Sequence, residues 1–240
     1  MEGATKRTPP VAMITGAGRG IGRATAEAFA AAGYAVVLAE VRAGLGQRAE
    51  RALRGAGATA HFLRTDVSRA ASVARTLRIV LRRLGRLDCV VNNAGVLDVG
   101  PLVDLSVAAV DRMLAVNLRG PLLVARTALP VLLRRGSGSI INVSSQLGKF
   151  GAADYATYCA TKFGIVGFTE ALAAELMGTG VRVWAVCPGL VDTPMARRAV
   201  GGGPRDRAGR LRPEAVARVI LELATGRRRA ASGTAVDVVA

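Results

Sequence analysis

A tyrosine and a lysine four residues apart, in Tyr158-Cys159-Ala160-Thr161-Lys162, are the side chains here best suited to moving a proton. On a helix that spacing puts both on one face. An ammonium beside a phenol favours the phenolate and lowers a pKa that starts at about 10. A phenol tuned in this way exchanges a proton with an alcohol or a ketone near neutral pH. The lysine could also bind ribose hydroxyls. The spacing alone is common, and an ordinary surface pair would look the same. Tyr155 competes poorly for the role, because the residue four further on is Cys159.

A second pattern suits a phosphate. Thr15-Gly16-Ala17-Gly18-Arg19-Gly20-Ile21-Gly22 follows an apolar run and opens a helix-like stretch. Glycines let the backbone turn tightly and approach a pyrophosphate, and the helix start offers N–H donors and a positive dipole end. The G-x-G-x-x-G fingerprint is not met, since Ile21 falls where its third glycine would stand. T-G-x-x-x-G-x-G is met, with Gly16, Gly20 and Gly22. Glu40 closes the next apolar run. An acid at that place hydrogen-bonds the adenine ribose and repels a 2′-phosphate, so it favours NAD(H). Arg19 and Arg42 cut the other way, since either could reach a 2′-phosphate, and NADP(H) stays open.

These residues need a scaffold with strand ends on one edge. Strand-like runs are expected at Val11–Ile14, Ala35–Leu38, Thr59–Leu63, Cys89–Val91, Ser139–Val143, Val181–Val186 and Ala235–Val238. Helix-like stretches separate them. Examples are Leu45–Arg54, the amphipathic Val73–Leu84, a long helix from an N-cap at Ser106 to Leu133, Tyr155–Met177, and Pro213–Ala224. Pro121 is expected to kink or break the long helix. Short apolar strands alternating with helices imply an α/β fold. We expect one Rossmann-type, doubly wound domain over 1–240, with a seven-stranded parallel sheet flanked by helices. Residues 196–212, with Gly201-Gly202-Gly203-Pro204 and six arginines, read as a loop.

Composition narrows the class. The chain has 240 residues, 51% of them hydrophobic, which suits a folded chain with a large core. Its 33 basic and 17 acidic residues give a net charge of +16. The basic residues are nearly all arginine and are scattered along the chain. Aromatics are 4%, with no basic-aromatic interleaving, so nucleic acid is not the expected partner. No uncharged apolar run reaches membrane length, and the polar stretch Met1–Thr8 is no signal core. Cys89, Cys159 and Cys187 form neither a metal spacing nor a disulfide framework, which suits a reducing cytoplasmic setting. No metal site is expected.

The ordered set of motifs resembles the classical short-chain dehydrogenase/reductase family from about Pro10 to Asp237. The phosphate turn resembles the family's own. Asp66-Val67 resembles the pair that contacts adenine, and Asn92-Asn93-Ala94-Gly95 matches the stretch after strand four. Asn117 matches the active-site asparagine, Ile141-Asn142-Val143-Ser144-Ser145 the strand carrying the serine, and Tyr158 with Lys162 the Y-x-x-x-K pair. Pro188-Gly189-Leu190-Val191-Asp192-Thr193 resembles the turn at the nicotinamide end. Of the two serines, Ser145 precedes x-x-Gly, as the family's catalytic serine does.

The resemblance implies hydride transfer between a nicotinamide and a secondary alcohol or ketone. Asn117, Ser145, Tyr158 and Lys162 would be the catalytic set. Gly16, Arg19, Gly20, Ile21, Gly22, Glu40, Asp66, Val67, Asn93, Ala94, Gly95, Pro188, Gly189, Val191 and Thr193 would hold the cofactor together with Tyr158 and Lys162. Ser145 and Tyr158 with Leu147, Phe150, Leu190, Met195 and Val200 would face the substrate. Residues 196–212 would be the substrate lid, where Arg197, Arg198, Arg205, Arg207, Arg210 and Arg212 could meet an anionic substrate or an acidic carrier protein. A homotetramer is expected through the two longest helices, with a dimer as the alternative. An NADPH-dependent ketoreductase resembling 3-oxoacyl-(acyl carrier protein) reductases remains a second reading, and a catalytically silent nucleotide-binding regulator a third. The family's V-D-G-G ending is not reproduced, since Val236-Asp237 is followed by Val238-Val239-Ala240. His61 and Trp184 read as packing residues.

Overall fold

Apolar runs too short for helices become the strands of one sheet. The computed structural model describes residues 8–200 and 209–239. Its strands are β1 (Val11–Thr15), β2 (Ala35–Glu40), β3 (Ala60–Arg64), β4 (Cys89–Asn92), β5 (Gly138–Val143), β6 (Val181–Pro188) and β7 (Ala235–Val238). They pair in parallel in the order β3-β2-β1-β4-β5-β6-β7. The helices are α1 (Gly20–Ala31), α2 (Ala43–Gly55), α3 (Ala70–Leu84), α4 (Val107–Met113), α5 (Gly120–Arg135), α6 (Ala156–Glu175), α7 (Pro194–Val200) and α8 (Pro213–Thr225). Every residue of β1 and β2 is buried, because helices cover both faces. One face packs against Phe29 of α1, Leu53 of α2 and Ile220 of α8. The other packs against Leu77 of α3, Leu132 of α5 and Leu172 of α6. Trp184 is fully buried in the first of these cores, and its indole N–H donates to the Ala230 carbonyl at 3.2 Å. His61 lies on the edge strand β3, across the sheet from β5.

The long helix differs from the expectation. Ser106 does cap it, its hydroxyl accepting from the Ala109 N–H at 3.2 Å. Of the kink or break expected at Pro121 there is no break, since helix continues from Val107 to Arg135. Instead Leu114–Arg119 is a π-type stretch, and the Gly120 N–H bonds to the Ala115 carbonyl, five residues back. Proline has no N–H for the carbonyl four residues earlier, that of Asn117, and the wider turn sits where that bond is missing. By length and composition alone this helix could cross a membrane, with a window of mean hydropathy 1.2. It is packed as a core helix, with Val124, Ala125, Ala128 and Leu132 against the sheet.

One further segment departs from the reading of the sequence. Residues 196–212 do not start as a loop, because 196–200 complete α7. Residues 201–208, with Arg205 and Arg207, lie outside the described residues. Leu211 then bridges to Val191, and its N–H bonds to the Leu190 carbonyl at 2.9 Å. The missing V-D-G-G ending does not cost the last strand its pairing. The Gly189 N–H reaches the Val238 carbonyl at 2.9 Å, and Lys149 holds Asp237 at 2.8 Å.

Candidate active site

All seven strands are parallel, so their carboxyl ends share one edge, and the strand order reverses direction between β1 and β4. A crevice forms at such a switch point. Here the two strand ends are stitched together. Thr15 Oγ1 donates to the Val91 carbonyl at 3.3 Å and accepts from the N–H groups of Asn93 at 2.9 Å and Ala94 at 3.0 Å. The Asn93 side-chain amide donates to the carbonyls of Thr15 at 2.9 Å and Gly16 at 3.2 Å. That closeness dictates glycine: a Cβ on Gly16 would lie 2.8 Å from Ala94 Cα, and one on Gly22 would strike the Asn93 side chain and the Gly16 carbonyl. Gly16 and Gly20 also take left-handed φ values of 65° and 55°.

The residues at this edge fit a dinucleotide. No side chain caps α1 and its first turn holds no acid, so its leading N–H groups remain for an anion. Gly20 faces Thr193, whose methyl would be 3.2 Å from an added Cβ, so the base of α7 lies against the phosphate turn. Glu40 is 3% exposed at the end of β2. Its carboxylate accepts from the N–H groups of Gly18 and Arg42, each at 3.1 Å, and pairs with the Arg42 guanidinium at 3.5 Å. Arg19 has its pKa lowered by burial, then by the charges of Arg42 and Arg198, with Glu40 opposing. Arg19 thus feels two other guanidiniums as well as the acid, and Arg42 pairs with the acid directly. Asp66 accepts from the Ser68 N–H at 3.0 Å and from its hydroxyl at 2.6 Å, while Val67 is buried against Gly120.

The proton-handling residues meet on the other side of the switch point. Asn117, in the π-type stretch, exchanges two hydrogen bonds of 2.8 Å with the Val96 backbone. Its amide also reaches Thr161 Oγ1 at 3.4 Å, and Thr161 donates to the Tyr158 carbonyl at 2.7 Å. Lys162 is buried and donates to the Val143 carbonyl at 2.9 Å, with Nζ 5.4 Å from the centre of the Tyr158 ring. Ser145 accepts from the Leu147 N–H at 3.1 Å, which leaves its own proton to donate, and it hydrogen-bonds Tyr158. Ser144 spends its hydroxyl on the Lys162 carbonyl at 2.9 Å. Behind them, Asn92 donates to Asn142 at 2.9 Å and Asn142 to Thr169 at 2.9 Å, fixing α6 to β4 and β5.

One expectation is corrected here. Lys162 was to lower the pKa of Tyr158, but in the protein alone that pKa is pushed up to about 12. Desolvation of the phenol outweighs the Ser145 hydrogen bond that opposes it. Burial also brings Lys162 down to about 8.

Tyr158 and Ser145 open on a cavity of about 160 Å³. Of the residues expected to face the substrate, Leu147, Leu190, Met195 and Val200 line it, and so do Ile21, Pro188, Gly189, Val191 and Thr193 of the expected cofactor set. Phe150 does not line it. The chain turns outward after the short helical turn Gln146–Gly148, leaving Phe150 53% exposed. Leu97, Tyr155, Ala196 and Ala199 line the cavity without having been singled out. Tyr155 stands three residues before Tyr158, a spacing that could have marked it. The cysteines are buried and free, and among the described residues no three His, Cys, Asp or Glu side chains converge.

Fold and site define a dinucleotide-dependent oxidoreductase of the α/β class. The chain matches the short chain dehydrogenase family over residues 10–201 and belongs to it. It is accordingly an NAD(P)-dependent enzyme of the CH–OH/C=O type. It is similar to cis-4-hydroxycyclohexanecarboxylate dehydrogenase of Sinomonas cyclohexanicum, 43% identical over 226 residues, which cover 90% of this chain and 89% of the relative. Levodione reductase superposes with a TM-score of 0.90 at 29% identity, covering 96% of each chain. The 3-ketoacyl-(acyl-carrier-protein) reductase of Brucella melitensis, complexed with NADH, superposes with a TM-score of 0.88 at 30% identity, covering 95% of this chain and 96% of its own.

Proposed function

We propose that the protein is an NAD(H)-linked dehydrogenase of a secondary alcohol on a small, neutral, largely hydrocarbon body. Tyr158 is its general acid and base. The observation that carries this reading is the small apolar cavity onto which Tyr158 and Ser145 open after β5, on the same sheet edge as the buried carboxylate of Glu40 at the end of β2. The relative named for a hydroxycyclohexanecarboxylate shares the ring body, though its own substrate carries a carboxylate. The bound nicotinamide supplies the hydride acceptor or donor. Ser145 donates to the substrate oxygen and stabilises its developing charge. Tyr158 takes the hydroxyl proton in oxidation and returns it in reduction. Lys162 holds the ribose hydroxyls. The Asn117 backbone, at the widened turn, supports a water path that relays the proton from Lys162 to solvent. Gly16–Gly22, Asn93–Gly95 and Pro188–Thr193 seat the dinucleotide, Asp66 and Val67 meet its adenine, and Glu40 receives its ribose.

Initial rates against pH test this reading. The phenol must lose its proton to act as base, so kcat/KM for oxidation of a ring alcohol with NAD rises with pH. For ketone reduction with NADH it falls with pH, because the phenol is then the donor. A flat profile in both directions would remove the tyrosine from the proton step.

The same helices suggest an assembly. Val107, Leu114, Leu122 and Leu133 recur along one long helix at 76%, 39%, 39% and 41% exposure, and Phe163 of α6 is 45% exposed. We propose that these faces pair copies of the chain into a homotetramer. Light scattering should then give four chains, and Phe163→Glu with Leu122→Glu should give a smaller species. A monomeric wild type would end the idea.

A further inference from the structure

We infer that Tyr155 is a specificity-determining residue that holds a second, uncharged oxygen of the substrate, so that the site takes diols, hydroxyketones and diones ahead of monofunctional alcohols. The inference rests on the dehydrogenase reading above. Tyr155 and Tyr158 are three residues apart at the start of α6, which puts them on one face, and both line the cavity. They are close enough that the charge of an ionised Tyr155 would raise the pKa of Tyr158. The Tyr155 hydroxyl has no hydrogen-bond partner among the described residues.

Of the other polar side chains of the lining, Ser144 donates to the Lys162 carbonyl and Ser145 belongs to the reacting oxygen, while Thr193, which accepts from the Ala196 N–H at 3.2 Å, sits at the base of α7 against the phosphate turn. The remaining lining is apolar, and no charged side chain contributes to it among the described residues. A polar group facing such a wall gains most when the ligand brings it a partner. The partner is neutral, because a carboxylate would meet no countercharge among the described lining residues.

The backbone places Tyr155 deliberately. Asp154 is the one non-glycine residue at positive φ among the described residues, at 66°. Its carbonyl accepts from the Gly100 N–H at 2.9 Å, which ties the turn to the segment after β4. Aspartate tolerates this conformation better than most residues but not without cost. The turn delivers Tyr155 to the first turn of α6 beside the proton-transfer group.

The test compares the full chain with Tyr155→Phe on cyclohexanediols, on cyclohexanol and on a cyclohexane hydroxy acid, with NADH fluorescence titration beside the kinetics. The expected result is a kcat/KM for the best diol about tenfold above that for cyclohexanol, the worth of one hydrogen bond. The hydroxy acid should fall below both. In Tyr155→Phe the diol advantage collapses, mainly through a raised KM, while NADH titrates as in wild type. Equal rates on diol and cyclohexanol in wild type, a diol advantage that survives Tyr155→Phe, or a hydroxy acid preferred to both would each overturn the inference. So would NADH binding without turnover of any ring alcohol. Absence of NADH binding itself would mark failure of the dehydrogenase reading, and this inference would fall with it.

Discussion

Replacing Tyr158 with phenylalanine should lower kcat by about 10³–10⁴-fold in both directions, with NADH affinity held within about a factor of two. The ring stays, so the packing at the mouth of the cavity stays. Lys162 keeps its 2.9 Å bond to the Val143 carbonyl, and Asn117 keeps its pair of bonds to Val96. Only the proton carrier is gone. What remains is orientation and the Ser145 hydroxyl, which still donates to the substrate oxygen. The loss therefore falls in kcat rather than in cofactor binding. Burial alone leaves the phenol at about 12, so the free protein is not a ready base. Positive charge at the site must stabilise the phenolate during turnover, and Lys162 at about 8 can supply part of it. Steady-state rates with a ring alcohol, beside NADH fluorescence, give both numbers. Activity within about tenfold of wild type would pass the proton step to another group, with Tyr155 the neighbouring phenol.

The sheet was legible because its strands are continuous apolar runs bounded by turn residues, and parallel strands buried on both faces leave that signature. The phosphate turn was legible for a related reason: contacts between β1 and β4 exclude side chains at Gly16 and Gly22, and only glycine meets that demand. The π-type stretch was not. It depends on the absent N–H of Pro121 together with a pairing of Asn117 and Val96 across the chain, and no local pattern records the second part. The pKa of Tyr158 was misjudged because spacing along a helix gives proximity but not burial. Phe150 was misplaced because apolar character says nothing about which way a turn points it. Tyr155 was passed over as a base on the identity of Cys159. Its three-residue spacing from Tyr158 hints at a shared face, but its place in the cavity wall also depends on the turn at Asp154, which adopts a left-handed conformation. What escaped the sequence is thus mostly irregular backbone, and that is what shapes the site.

Removing the charge at Glu40 should change cofactor choice by about 10²–10³-fold in the ratio of NADH to NADPH affinity. Two effects add. NADH loses charge-assisted hydrogen bonds from its ribose hydroxyls, and NADPH is freed from repulsion between its 2′-phosphate and a buried carboxylate. Arg19 and Arg42, the guanidiniums that interact with Glu40, then lose the acid that offsets their charge. Glu40→Gln is the informative variant. Glu40 accepts from the N–H groups of Gly18 and Arg42 through different oxygens, so alanine would strand two backbone donors and loosen the phosphate turn itself. Glutamine keeps one acceptor and almost the same shape. A fall in affinity for both cofactors would report damage to the turn. A fall for NADH with a rise for NADPH would report the charge. The wild-type preference decides how the three side chains balance: NADH favoured means that one buried carboxylate outweighs two more exposed guanidiniums, as expected where burial strengthens its field and solvent screens theirs. Wild-type protein that prefers NADPH would reverse that order, and would make Arg19 and Arg42 the residues that read the cofactor.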